Sequence, residues 1–353
     1  MSPTKIVKID PLNINEDYLR EAADIIKAGG LVIIPTETVY GLAANMLDKK
    51  AIKRLSAIKK RPKDKPFSIA IDRKERLGEF AKDIPISAYK LINKFWPGPV
   101  TLILKGINQP TVGLRMPDNE IAQKIISAAA APIALPSANI SGKPAPESFE
   151  AAIRDLNGLV ELAIDGGELK LGMESTIVDL TGQAPQVVRF GAINDEEINK
   201  TIYKKHVLFV CSGNTCRSVI AEALFKKMMR DKKREDVEVY SAGVMALSGS
   251  PASQGAKDIL AKDGIDVSGH IAREVTRELL NASDLILVME KRHEEEILKI
   301  SPEAKNRVFL LKEFAKINDN NLDIVDPVGK PSGSYQDVYY SIKESLERIS
   351  NLI

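Results

Sequence analysis

The sequence predicts an α/β protein in two successive parts, an α/β domain over residues 1–203 and a domain with a four-stranded parallel sheet over 204–353. Three observations carry that prediction. Short apolar runs alternate with stretches whose apolar residues recur at helical spacing, as a sheet covered by helices demands. The 353 residues, 44% hydrophobic and 28% charged, suffice for two ordinary cores. A polar stretch at 199–206, Asn-Lys-Thr-Ile-Tyr-Lys-Lys-His, separates the last β-like run of the first part from a new apolar strand.

A net charge of +2 gives no strong bias toward nucleic acid or membranes. No apolar run approaches the ~18–20 residues of a membrane span and no signal-peptide pattern opens the chain, so a cytoplasmic protein without membrane contact is expected. Two closely spaced cysteines do not make a secreted disulfide framework.

Taken in order, residues 18–28 read as an amphipathic helix stopped by Gly29-Gly30. Residues 31–34 form a short strand that runs into Pro35-Thr36-Glu37-Thr38-Val39-Tyr40-Gly41-Leu42. Composition reads those polar residues as a turn; their place at a strand end also suits a ligand. A helix at 49–58 ends in the basic cluster Lys59-Lys60-Arg61-Pro62-Lys63-Asp64-Lys65-Pro66, whose prolines restrict the backbone. A Trp96-Pro97-Gly98-Pro99 turn precedes a strand at 100–104, and Arg115 stands in an apolar run. The strand at 133–135 leads to Pro136-Ser137-Ala138-Asn139, Glu174-Ser175-Thr176 flank another β-like run, and Arg189 lies on a last one.

The histidines are His206, His270 and His293, and the cysteines Cys211 and Cys216, so the first part holds neither type. Its chemistry therefore uses no imidazole base or thiolate. Lys, Arg, Ser, Thr and Asn at strand ends suit anion binding and positioning. Neither a G-x-x-x-x-G-K-[ST] nor a G-x-G-x-x-G signature occurs.

PTETVYGL, the K-x-R of Lys59 and Arg61, WPGP, the arginine before Met-Pro, the S-x-N of Ser137 and Asn139, and ESTIVD follow one another in that order. The set resembles the YrdC-like threonylcarbamoyl-AMP synthases over roughly residues 5–200. The resemblance implies a twisted α/β fold around a basic cavity. It also implies a reaction in which L-threonine, bicarbonate and ATP give threonylcarbamoyl-AMP and pyrophosphate, with magnesium accompanying the ATP. tRNA is then met only through a separate threonylcarbamoyl transferase. By the same resemblance Lys59, Arg61 and Arg189 neutralise triphosphate oxygens, and Ser137, Asn139 and Thr111 bind phosphate or nucleotide. Thr36, Ser68, Arg115 and Ser175 hold threonine and its carbamate, the arginine pairing with a carboxylate. For Ser68 and Thr111 an ordinary strand hydroxyl is an equal alternative. A module holding double-stranded RNA by phosphate contacts is the competing class; the threonine-site hydroxyls favour the enzyme.

The second part opens on Val207-Leu208-Phe209-Val210, then Cys211-Ser212-Gly213-Asn214-Thr215-Cys216-Arg217-Ser218, then a helical stretch at 219–229. A strand, a tight loop and a helix N-terminus make an anion site, with backbone N–H groups and the helix dipole aimed at the loop. A cysteine in such a place beside a cation tends toward the thiolate. Arg217 then grips two phosphoryl oxygens while Cys211 attacks phosphorus. The bland alternative is a buried structural cysteine. Against it stand both cysteines of the chain in one loop and the small Ser212 and Gly213 beside them.

This C-x5-R-S string, with Ser241-Ala-Gly243, Gly264-Ile-Asp-Val-Ser-Gly-His270 and Asp284-Leu-Ile-Leu-Val-Met289, resembles the low-molecular-weight protein tyrosine phosphatases. The resemblance makes Asp326, followed by Pro327, the general acid; Asp323 reads as a solvated or capping carboxylate. Ser218 hydrogen-bonds the thiolate, and Asn214, Ser241 and His270 support the loop, although His270 is weighted toward an ordinary core histidine. Two positions depart from the tyrosine phosphatase pattern: Thr215, usually a larger aliphatic, and Val328, often aromatic. Thr215 matches the bacterial protein arginine phosphatases, so phosphoarginine proteins are the expected substrates, phosphotyrosine proteins the alternative. An arsenate reductase would need more cysteines. An inactive phosphoprotein reader is disfavoured by intact Cys211, Arg217 and Asp326. Cys216 is expected to act as a resolving thiol toward Cys211 on mild oxidation.

Overall fold

The computed structural model describes residues 3–60, 66–330 and 333–353. The chain divides into two compact units, Met1–Ile202 and Tyr203–Ile353. Among the described residues no helix is long and apolar enough to cross a membrane.

The first unit is built on a ten-stranded mixed sheet among the described residues. From one edge to the other its strands are Lys5–Lys8, Leu162–Asp165, Val32–Ile34, Gly41–Asn45, Ile133–Ala134, Ile69–Ala70, Thr111–Arg115, Val100–Lys105, Thr176–Asp179 and Gln186–Arg189. Strand alternation explains the continuous apolar run at 31–34. Val32 and Ile34 join the helices Glu16–Lys27 and Glu120–Ala129 on one face. Leu31 and Ile33 join Lys49–Ile58 and Phe149–Leu156 on the other. The first helix begins where the Asn15 side chain accepts the Asp17 N–H at 2.9 Å, and ends where the Gly30 N–H reaches the Ile25 carbonyl at 2.9 Å. Ile86–Phe95, Glu120–Ala129 and Phe149–Leu156 are helices that the reading of the sequence does not single out.

The second unit is a four-stranded parallel sheet in the order Val237–Gly243, Lys205–Cys211, Leu285–Val288, Val308–Leu310. The first strand in sequence is thus flanked by the second and third, so connections leave it on opposite faces. The crevice at such a switch point opens beyond the strand's carboxyl end, where Cys211 stands. Val207 and Phe209 face the helices Arg217–Asp231, Gln254–Ala261 and Gly333–Ile349, while Leu208 and Val210 face Arg277–Ala282 and Lys291–Ile300. Asp323 accepts the Lys291 N–H at 2.9 Å at the start of Lys291–Ile300, the capping role expected of it.

The 211–218 loop lies tightly on the end of the neighbouring strand. A Cβ at Gly243 would stand 2.4 Å from the Ser212 carbonyl and 2.8 Å from the Asn214 nitrogen. Gly243→Ala is expected to destabilise the second unit by on the order of 1–3 kcal/mol by forcing that backbone aside. Denaturant unfolding checks it, and an unchanged midpoint for this unit would contradict the close approach.

Candidate functional sites

In the first unit, strand ends and loops enclose a cavity of 280 Å³. Thr36, Lys59, Ser68, Arg115, Ser137, Asn139, Ser175 and Arg189 all line it. The Thr36 hydroxyl donates to the Val39 carbonyl at 2.6 Å and accepts the Thr38 and Val39 N–H groups, turning the chain from one strand into the next. That turn sets Thr36 and Thr38 on the cavity wall, so the polar run after residue 34 is both turn and site.

Each cation on the wall is held by protein oxygens. Lys59, buried at the end of its helix, donates from Nζ to the Ser137 and Asn139 carbonyls at 2.8 and 2.9 Å and to Asn139 Oδ1 at 2.6 Å. Arg189 donates to the Ser175 carbonyl and hydroxyl at 3.0 and 2.9 Å and pairs with Glu174 at 2.8 Å. Arg115 donates to the Gly98 carbonyl and Thr38 Oγ1, and pairs with Glu37 at 2.7 Å. Glu37 is only 2% exposed, which makes the guanidinium obligatory to it. Of the remaining expected residues, Arg61 lies outside the described residues, and Thr111 does not line the cavity. Thr111 opens the strand that Arg115 closes, and four extended residues put them about 13 Å apart.

In the second unit the loop is shaped by side chains that reach it from elsewhere. Asn214 is fully buried with φ +52°, a left-handed turn that an asparagine tolerates. Its amide donates to Ser218 Oγ and Ser241 Oγ at 3.0 and 2.8 Å, and its Oδ1 accepts the Arg273 N–H at 3.0 Å. His270 Nε2 donates to the Asn214 carbonyl at 2.8 Å. That contact corrects the core-histidine weighting: His270 is half-buried and braces the loop.

Cys211 Sγ lies 3.0 Å from Ser218 Oγ. Arg217, 1% exposed, pairs with the carboxylates of Glu290 and Asp326 and donates to the Ile324 carbonyl at 2.9 Å and Ser212 Oγ at 3.2 Å. Its Nε is buried and has no hydrogen-bond partner among the described residues. A phosphoryl oxygen in the loop is the kind of acceptor that such an orphaned donor lacks. Burial raises the Glu290 carboxyl, and Arg217 with Arg292 more than reverses this, holding it below the usual carboxylate range.

His293 is buried, accepts the Glu290 N–H at Nδ1 and therefore presents Nε2–H to Ser212 Oγ at 2.9 Å. Burial first, and then Arg217, lowers it to about 4, so it stays neutral. Burial first, and then Cys211, pushes the Cys216 thiol up to about 12. A thiol so protonated is a poor nucleophile, which removes support from its expected resolving role. Val328 is exposed and donates its N–H to Asp326 Oδ1 at 3.1 Å.

Two family models match the chain: Sua5, YciO and YrdC, with the description telomere recombination, over residues 24–191, and low molecular weight phosphotyrosine protein phosphatase over 206–352. The protein-arginine-phosphatase of Geobacillus stearothermophilus is 39% identical over 143 residues, 40% of this chain and 89% of that protein. The crystal structure of Pyrococcus abyssi Sua5 complexed with L-threonine superposes with a TM-score of 0.54 at 31% identity, over 87% of this chain and 99% of that one. The chain belongs to both families. The threonylcarbamoyl-AMP synthase of Pyrococcus abyssi is 48% identical over 200 residues, 54% of this chain. The match spans 58% of that relative's length, less than two thirds of it.

In the Sua5-like part the reading of the sequence assigned no role to Glu37 or Glu174, although both sit inside its motifs, PTETVYGL and ESTIVD. Acidic residues read as misplaced in an anion site until each is seen beside an arginine. In the phosphatase part it passed over Glu290 and His293, which lie more than seventy residues from the loop and carry no local signal.

The His293 shift has a testable sign. An unfolded histidine titrates near 6.5 and the folded one near 4. Between those values the unfolded chain binds more protons, so stability of the phosphatase part is full above about 6.5 and falls as pH drops toward 4. The loss from this group is on the order of 3 kcal/mol, at 1.36 kcal/mol for each of about 2.5 pH units. Urea unfolding across that window checks it, and His293→Gln is expected to flatten this part of the dependence.

Proposed function

We propose that the chain is a bifunctional enzyme. The first unit makes threonylcarbamoyl-AMP from L-threonine, bicarbonate and ATP for tRNA modification. The second dephosphorylates phosphoproteins through a cysteinyl-phosphate, with phosphoarginine as its preferred substrate. The observation that carries the first reading is the convergence on one cavity of eight of the residues that the family resemblance implies. Arg115 and the Thr36–Thr38 hydroxyls suit an amino-acid carboxylate, while Lys59, Arg189, Ser137 and Asn139 suit a polyphosphate. Lys59 and Arg189 exchange carbonyl and carboxylate partners for phosphate oxygens, and they stabilise the charge that grows on departing pyrophosphate.

Among the described residues magnesium finds no protein cage. Among the described residues no group of three carboxylate, His or Cys side chains could hold a metal, and the carboxylate on the wall, Glu174, is paired with Arg189. The ion would arrive on the triphosphate, and no step here depends on it.

In the second unit Cys211 attacks phosphorus while the loop N–H groups and Arg217 take the phosphoryl oxygens. Asp326, released from Arg217, takes a proton from solvent and gives it to the leaving nitrogen or oxygen as the bond from that atom to phosphorus breaks. The carboxylate so formed then takes a proton from the water that attacks the cysteinyl-phosphate and releases phosphate. Thr215 supports the phosphoarginine preference: half-buried in the loop, it offers a hydroxyl where a larger aliphatic would offer none. Exposed Val328 beside Asp326, in place of an aromatic, offers little to a phosphotyrosine ring.

Pyrophosphate release by the full chain is expected to require ATP, threonine and bicarbonate together, and Lys59→Ala to cut it about a hundredfold. Equal release without threonine would contradict the synthase reading. Cys211→Ser is expected to abolish phosphatase turnover while leaving pyrophosphate release unchanged.

Specificity is tested separately. Thr215→Ile is expected to lower kcat/KM for phosphoarginine protein about tenfold while sparing phosphotyrosine protein. A ratio left unchanged by that substitution would make tyrosine dephosphorylation the better reading.

A further inference from the structure

The phosphatase unit carries a second cavity, of 420 Å³, that neither Cys211 nor Asp326 lines. One wall is apolar, formed by Val219 and Ala223 of the helix Arg217–Asp231 and by Ile265 and Val267. The rim is charged, with Lys226, Arg230 and Arg273 against Glu222 and Asp266, and His270 lies beside them. The acids are already committed. Glu222 pairs with Lys226 at 2.5 Å and accepts the Ser241 hydroxyl, and Asp266 accepts the Ser268 N–H and hydroxyl at 2.8 and 2.9 Å. The cations are less so. Among the described residues Arg230 forms no ion pair, and Arg273 lies over the Tyr240 ring at 5.3 Å and donates from Nε to the Ser241 carbonyl, its two terminal nitrogens having no hydrogen-bond partner there. Guanidinium groups with terminal donors still available over an apolar wall match a small organic anion, a sulfonate, carboxylate or phosphate head on an apolar body.

The same wall holds the phosphate loop. Ser241, His270 and Arg273 line the cavity, and these three bond the side chain, the carbonyl and the Oδ1 of Asn214. Asn214 is the fully buried, left-handed residue on which the loop's turn depends. A ligand that binds these three residues in the arrangement seen here favours that arrangement over any in which the loop is released.

We propose that this cavity is an effector site for a small organic anion, and that its occupancy stabilises the phosphate loop and raises phosphatase activity. The coupling rests on the phosphatase reading; the binding does not.

Calorimetric titration of the full chain with naphthalene sulfonate is expected to give one saturable site. Arg230→Glu is expected to weaken it about tenfold, and Ala223→Trp, which fills the apolar wall, to abolish it. With p-nitrophenyl phosphate as substrate, saturating sulfonate is expected to raise kcat/KM about fivefold in the wild-type chain and not in Ala223→Trp. Binding indifferent to both substitutions, or inhibition purely competitive with p-nitrophenyl phosphate, would overturn the site. Binding that Arg230→Glu weakens, with kcat/KM unmoved in an active enzyme, would overturn the coupling. A chain that hydrolyses no phosphoester but still binds the sulfonate would overturn the phosphatase reading and leave the site standing.

Discussion

Arg217 is 1% exposed, and a guanidinium so far out of water needs charge partners within contact distance. It finds them in Glu290 and Asp326, one at the start of a helix and one in a late loop. That demand ties together three distant parts of the second unit and orients the fork toward the loop. It also couples binding to rearrangement. On the proposed reaction, an incoming phosphoryl group takes donors that a carboxylate now occupies, and releases Asp326 to take up the proton it would pass to the leaving group. Among the described residues the guanidinium Nε has no hydrogen-bond partner, which supports the proposal that this edge of the fork takes a phosphoryl oxygen.

The first unit meets the same demand with less charge. Arg115 pairs with Glu37 and Arg189 with Glu174, and Lys59 donates to the Ser137 and Asn139 carbonyls and to the Asn139 side-chain oxygen. All three cations thus line the cavity already held in place by protein oxygens.

Both sites sit where strands end because both sheets are covered on two faces, which leaves their strand ends as the open ground. In the second unit the connections part on either side of the first strand, and the loop after Cys211 fills the resulting crevice. In the first, the turn at Thr36 and the end of the Lys49–Ile58 helix bring Thr36, Thr38 and Lys59 to one cavity from different elements.

Much was legible in the chain itself. Runs such as 31–34 and 207–210 announce buried strands, Gly29-Gly30 and Gly264 mark helix ends, and the spacing of Cys211 and Arg217 sets an anion loop at a helix N-terminus. These signals are local: periodicity, backbone preference and short spacing act within one or two turns of chain. Other features depend on contacts between distant residues. Glu37 and Glu174 are arginine partners only once strands align, Glu290 and His293 reach the loop from more than seventy residues away, and His270 braces Asn214 across fifty-six. Thr111 opens the strand that Arg115 closes, so the length of an extended strand separates it from the arginine on the cavity wall. The sequence by itself determined which groups are available to bind and attack. Tertiary structure decided which charges meet, because pairing and burial arise from distances that spacing along the chain does not encode.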